Sequence, residues 1–307
     1  GGLEFTKKSA ATDKLYYLKS VGKPKSLKLS QVKNKSTIKV TWKAGKNASK
    51  YRVYRKKKNK WVLVKETSKL TYTDKDAQFY KTYRYRVRAF RTFKGKKSLS
   101  GYTKVKKATV KEPRVLKMKV NNINQYAIGY SMGCEIVALA VVMRHMGFTP
   151  KGGKAMTDKL YNKYTTKGDY DLNKAYYGNP KGNGNSFGAC YERVIRNTAN
   201  KFLKDKDPNY KAKALKGKSV ETLFKQLVKG RPVIVWATEK MKIGYRYKIS
   251  GGWWYRYSHT MVLTGYNKDK GIVYITDPER GRVSYSIKKF KKSYEVRGKR
   301  AVVIMPK

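Results

Sequence analysis

Across 307 residues the chain sets 74 Lys and Arg against 19 Asp and Glu, a formal charge of +55. So one-sided a charge would suit a disordered basic tail, but 40% hydrophobic and 13% aromatic residues exclude one and suit about two folded domains. The longest apolar run, Ile136 to Met143, is too short for a bilayer span of about 20 residues, and two cysteines exclude a disulfide framework or a four-cysteine zinc site.

The charge is even along the chain, with 33 basic and 5 acidic residues in 1–110 and 41 and 14 in 111–307. It points to polyanionic surroundings, such as an anionic cell-wall polymer, a lipid surface or nucleic acid. No helix-turn-helix, finger or aromatic RNA-binding motif is present, so no specific nucleic-acid contact is expected. The sequence opens Gly1-Gly2-Leu3 without a signal-peptide pattern, which reads as a processed form. Two histidines, His145 and His259, leave little room for metal chemistry, and no metal or cofactor is expected.

Residues 1–23 form a polar lead-in, with one short segment around 15–18. From Pro24 the period becomes two. Ile38, Val40 and Trp42 alternate with Thr37, Lys39 and Thr41, and strands are predicted at 51–55, 61–64 and 70–74. The clearest strand is 82–90, with Tyr83, Tyr85, Val87 and Ala89 on one face and Arg84, Arg86 and Arg88 on the other. Half-buried antiparallel strands give this pattern, and their spacing predicts a β-sandwich over 24–110. Trp42, Tyr51-Arg-Val-Tyr54 and Lys81-Thr-Tyr-Arg-Tyr-Arg-Val-Arg-Ala-Phe90 resemble a fibronectin type III domain. That resemblance places Tyr83 at a tyrosine corner, its hydroxyl tied back to the backbone near the turn before it. Such a module spaces, tethers or binds.

Residues 111–117, with Glu112-Pro113, read as a linker, and 118–307 as an α+β domain. Ile136–Met146 reads as a mostly buried helix ended by Gly147. Residues 150–190 read as a loop with a helical piece near 158–164. A second amphipathic helix is expected at 219–229 from Val220, Leu223, Phe224, Leu227 and Val228. Strands follow at 232–236, 260–264, 272–275 and 301–304.

Chemistry must come from a short list. Cys134 sits where the buried helix begins, and unpaired N–H groups with the positive end of the macrodipole favour its thiolate there. A base is needed, and His145 lies eleven residues along the same helix, about 16 Å away, out of reach. His259 opens a strand after a Gly- and Trp-rich loop. Asp277 follows an apolar strand and precedes Pro278, where it could orient the imidazole. Gln125, nine residues before Cys134, could pair with the Cys134 N–H to hold an oxyanion. Trp253 and Trp254 are expected to form a mobile, substrate-binding lip beside His259, and Cys190 to be packing.

Asn124-Gln125, Gly133-Cys134-Glu135, Ser258-His259-Thr…Gly265-Tyr266 and Ile275-Thr-Asp277-Pro278, in that order, resemble the bacterial double-glycine-leader (bacteriocin-processing) peptidase family, and within it a stand-alone papain-like cysteine peptidase. The resemblance spans about residues 118–305. It implies a papain-like fold with Cys134 as nucleophile, His259 as general base then acid, Asp277 as orienter and Gln125 as oxyanion donor, acting on a peptide or protein substrate. The fibronectin-like neighbour points outside the cell, to the surface of a bacterium of the Gram-positive kind. Two other readings remain at this point. One is a catalytically idle domain in a wall-binding or adhesion protein; the other is an amidase, isopeptidase or acyltransferase using the same thioester chemistry.

Overall fold

The computed structural model describes residues 20–93, 95–169, 171–182, 187–249 and 252–307; the segment expected at 15–18 lies outside them. The chain divides into two units, 1–113 and 114–307.

The first unit holds β1 (Lys25–Gln31), β2 (Ile38–Lys43), β3 (Lys50–Lys57), β4 (Lys60–Thr67), β5 (Thr71–Asp74), β6 (Thr82–Phe93), β7 (Lys96–Tyr102) and β8 (Lys106–Thr109). They make two antiparallel sheets, β1-β2-β5 and β4-β3-β6-β7, with β8 also on β6. The two-residue period explains the packing. Ile38, Val40 and Trp42 of β2, Tyr51 and Val53 of β3, and Tyr85, Val87 and Ala89 of β6 enter one core, each large side chain contributing about 1.5–3 kcal/mol. Arg84, Arg86 and Arg88 alternate with them and stay outside the core. There the Arg86 guanidinium lies over the rings of Tyr102 (3.7 Å) and Trp61 (4.4 Å). Arg55, buried on β3, pairs with buried Asp74 at 2.6 Å. The Tyr83 hydroxyl accepts from the Gln78 backbone N–H at 2.8 Å.

The second unit runs β9 (Val115–Lys117), α1 (Cys134–His145), α2 (Gly153–Lys159), a π-helical turn Leu160–Tyr164, β10 (Tyr177–Gly178), β11 (Gly188–Ala189), α3 (Glu192–Lys206), β12 (Tyr210–Ala214), α4 (Val220–Val228), β13 (Val233–Thr238), β14 (Arg246–Ile249), β15 (Gly252–Tyr255), β16 (Ser258–Asn267), β17 (Ile272–Asp277), β18 (Gly281–Ser286), α5 (Ile287–Val296) and β19 (Ala301–Pro306). Seven strands form an antiparallel sheet in the order β12-β19-β13-β16-β17-β18, with β9 on β16. Residues 115–117, expected in the linker, are therefore a strand of this sheet, because Val115 and Leu116 pair with Asn267 and Tyr266.

Both faces of the sheet are buried. Ile234 and Trp236 of β13 join the core with α1 and α3, while Val233, Val235 and Ala237 join the core with α4 and α5. The strand is an unbroken apolar run for that reason. α1 is buried from Glu135 to Met143, so its sequence shows no polar face. It ends where expected: Gly147 adopts φ +90°, a left-handed conformation that glycine enters without a Cβ penalty. Its N–H bonds Arg144 O and the next N–H bonds Met143 O. This anchors the helix by its C-terminus and leaves its N-terminus, with Cys134, at the sheet.

Candidate active site

Cys134 is the first residue of α1. Its N-cap, Gly133, has no side chain to cap the helix with. The Cys134 sulfur accepts the Thr260 backbone N–H at 3.4 Å and donates to Glu135 Oε2 at 3.4 Å. The first contact ties Cys134 to β16 one residue past His259. Burial pushes the thiol pKa well above its ordinary value, the negative Glu135 adds to the rise, and the Thr260 N–H works against it. The helix terminus and the Thr260 N–H thus favour the thiolate, while burial and the neighbouring Glu135 carboxylate oppose it.

His259 is 2% exposed, and its Nε2 lies 2.7 Å from Asp277 Oδ1. That bond places the ring proton on Nε2 and leaves Nδ1 as the acceptor of the neutral ring. Burial alone would favour that neutral ring, but Asp277, with Glu279 and Glu135 behind it, raises the His259 pKa above the ordinary value. Asp277 is the mirror case. Burial opposes its charge, yet the His259 bond, the Glu279 N–H and Arg280 keep its pKa low. Both shifts favour the ion pair. His259 and Cys134 share no hydrogen bond; Nδ1 instead has Glu279 Oε1 at 3.9 Å. The donor atoms of His259, Asp277 and Glu279 lie within 4.8 Å of one another, a spacing that could hold a metal ion. Nε2 and Oδ1 are already bonded to each other, and Oδ1 also takes the Glu279 N–H at 2.9 Å.

Gln125 is 2% exposed. Its Nε2 donates to Ser131 O at 2.9 Å, in the turn leading to Cys134, and its Oε1 is buried without a partner. Its backbone N–H donates to Pro278 O at 2.8 Å. Asn124 Nδ2 donates to Glu279 O (3.2 Å), and the Tyr126 hydroxyl donates to Glu279 Oε1 (3.0 Å). The loop bearing Gln125 is therefore stitched to the loop bearing Asp277. The fold brings Gln125, Cys134, His259 and Asp277 to one end of α1 and one end of β16–β17.

Residues 117–302 match the model of the Peptidase_C39 like family. The chain belongs to that family. The uncharacterized protein YvpB of Bacillus subtilis (strain 168) is 29% identical over 195 residues, covering 56% of this chain and 68% of YvpB. A Bacillus anthracis protein described as C39-like peptidase has a crystal structure similar to this one, with a TM-score of 0.53 at 24% identity over 63% of this chain and 98% of that one. At that identity the likeness is one of fold.

Within this C39-like unit the two tryptophans separate. Trp254 is 6% exposed, stacked on Tyr191 and edge-on to Phe187, with the Arg297 guanidinium over it at 4.6 Å. It anchors the β14–β15 hairpin rather than forming a lip. Trp253 is 50% exposed under Arg246 at 4.5 Å. Cys190 is fully buried; its carbonyl accepts from Trp236 Nε1 and its N–H donates to Glu135 Oε1. The sequence reasoning did not single out Glu135, Tyr176 or Glu279. Glu135 had one signal, a charged residue inside the apolar helix stretch. Tyr176 had none, since it reaches Glu135 from 41 positions away.

Proposed function

We propose that residues 118–307 are a cysteine peptidase that hydrolyses a peptide bond through Cys134, His259 and Asp277, with Gln125 on the oxyanion side. The observation that carries this reading is the His259 Nε2–Asp277 Oδ1 contact of 2.7 Å, set beside a cysteine at a helix N-terminus whose sulfur is held by the residue after His259. His259 Nδ1 takes the thiol proton as the sulfur attacks the carbonyl carbon, and the C=O electron pair moves onto oxygen. The Cys134 N–H and the Gln125 amide face that charge. The imidazolium then protonates the leaving amine, and water, deprotonated by His259, cleaves the thioester. Asp277 keeps the imidazole in the tautomer that this needs.

The first unit is, on this proposal, a fibronectin type III-like sandwich. Its support is the three- and four-stranded sheet pairing and the Tyr83 hydroxyl bonded to Gln78 N–H. Its outward Arg84, Arg86 and Arg88 row suits an anionic wall polymer at a bacterial, extracellular surface, where that row would hold the peptidase near its substrate.

A peptide library incubated with the wild-type chain and with Cys134→Ala tests the enzyme reading. Cleavage by the wild type alone is the expected result, and its products give the specificity. Cleavage by neither sinks it in favour of an idle binding domain; transfer to an added amine instead of water moves it to acyl transfer.

A further inference from the structure

The resting partner of the nucleophile is a carboxylate, not the imidazole. Glu135 follows Cys134 in α1 and is 1% exposed. Its Oε2 accepts from Cys134 Sγ at 3.4 Å and from the Tyr176 hydroxyl at 3.0 Å, and its Oε1 accepts the Cys190 N–H at 3.4 Å. The same hydroxyl lies 3.2 Å from Met132 O, in the turn before Cys134, so its single hydrogen is shared between the two acceptors. A carboxylate so deeply buried would be costly without donors. Here the donors come from three separate segments: the Cys134 thiol and the Tyr176 hydroxyl meet on Oε2, and the Cys190 N–H holds Oε1. Packing alone would be served as well by an apolar side chain, as it is at the next eight positions of α1.

We propose that Glu135 is a positioning residue for the nucleophile: it accepts the Cys134 S–H, fixes the sulfur between itself and the Thr260 N–H, and keeps the site discharged until substrate is bound. This inference rests on the peptidase reading and concerns its nucleophile. In the reacting step the proton leaves sulfur for His259 Nδ1 and not for Glu135, so the carboxylate is unchanged at the end of the step. Its negative charge stays beside the imidazolium that forms. Glu135 raises the barrier to a free thiolate while it favours the imidazolium. The thiol therefore ionises only as a partner of His259. The titratable groups around the pair are Tyr126 in the loop before α1, Tyr176 ahead of β10, Cys190 after β11, His259 in β16 and Glu279 after β17, with Arg297 beyond α5 acting on Glu135. Burial comes first in raising the Glu135 pKa, and the bonds from its own backbone N–H, Cys134, Tyr176 and the Cys190 N–H work against it by favouring the charged carboxylate.

The test is iodoacetamide alkylation of the full chain, followed at Cys134 by peptide mass between about pH 5 and 10, for wild type, Glu135→Gln and Glu135→Asp. The wild type should reach half its limiting rate above about 8.5, the ordinary cysteine value. Glu135→Gln, which removes the charge but keeps the shape, should lower that midpoint by about one pH unit, so that alkylation near pH 7 becomes about tenfold faster. Glu135→Asp, retaining the charge, should stay near the wild type. A folded Glu135→Gln with an unmoved midpoint overturns the proposal. So does a wild type already reactive as thiolate near pH 6, a measurement that needs no variant to fold. Alkylation requires no substrate, so a wild type that cleaves peptides yet reacts at pH 6 ends the role of Glu135 and leaves the peptidase reading intact.

Discussion

Asp74 and Asp277 are the fully buried aspartates of the described residues, one in each unit, and each faces a cation. Asp74 accepts from Arg55 Nη1 and from the Tyr85 hydroxyl, both at 2.6 Å, while the Asp76 N–H takes its other oxygen at 3.0 Å. The cation is a guanidinium, which keeps its proton throughout. Asp277 instead faces an imidazole at 2.7 Å, and its Oδ2 has only the Arg280 guanidinium at 3.5 Å. Beside it, Gln125 Oε1 and Thr260 Oγ1 are buried without hydrogen-bond partners. Both Asp74 oxygens are taken by donors, while Arg55 Nε beside them is itself buried without a partner. What separates the two clusters is the cation: a guanidinium keeps its proton, whereas an imidazole can take or release one near neutrality.

Asp277→Asn should break this comparison hardest. It leaves the ring without its carboxylate, and kcat/KM for a cleaved peptide should fall by about 10²–10⁴-fold. The wild-type acid limb should lie above 6.5, the ordinary histidine value, because His259 is raised and must release its proton to act as base. In Asp277→Asn the limb should move down in pH, and an unmoved limb would remove Asp277 from the site. The same pair stabilises the fold in a defined window. Its contribution is complete between about 4 and 6.5. It is lost as pH falls through the lowered Asp277 pKa or rises through the raised His259 pKa.

Asp74→Asn comes next. It strands the buried Arg55 charge and should cost about 3–5 kcal/mol in urea unfolding of the first unit, with peptide turnover below that transition unchanged. Loss of turnover would mean that Asp74 is not purely structural. The smallest effect concerns the outward arginines. Retention of the chain on an anionic wall polymer should weaken steeply as salt rises past about 0.15 M, while hydrolysis of a small peptide changes little. Equal salt dependence of both would show that the charged coat acts on catalysis as well as on binding.

β2 to β6 of the first unit were legible, most clearly β6, with Tyr85, Val87 and Ala89 inside and arginines outside, whereas β1, β7 and β8 went unread among lysines. α1 and its Gly147 stop were legible for the same kind of reason, an unbroken apolar run followed by a glycine. α3 went unread, although Val194, Ile195, Thr198, Ala199, Phe202 and Leu203 are buried at helical spacing; lysines and arginines between them obscure the stripe. α5 is similar, carried by Phe290, Ser293 and Tyr294 alone. At the site, residue type and chain order pointed to Cys134, His259, Asp277 and Gln125. What they could not convey is which partner each takes. The choice of Glu135 by the sulfur depends on Tyr176 and Cys190, and those contacts exist only after 40 to 55 intervening residues have folded.

The stitching of residues 124–126 to 277–279 spans 153 to 155 positions. Contacts so far apart in the chain close late, since each requires the ordering of most of what lies between. A growing chain that has passed residue 259 already contains its thiol and its imidazole, yet it lacks the aspartate and the loop that seats the glutamine. Competence then arrives with the last strands of the sheet. On the peptidase proposal, an unfinished copy would lack a complete site until these two loops have met.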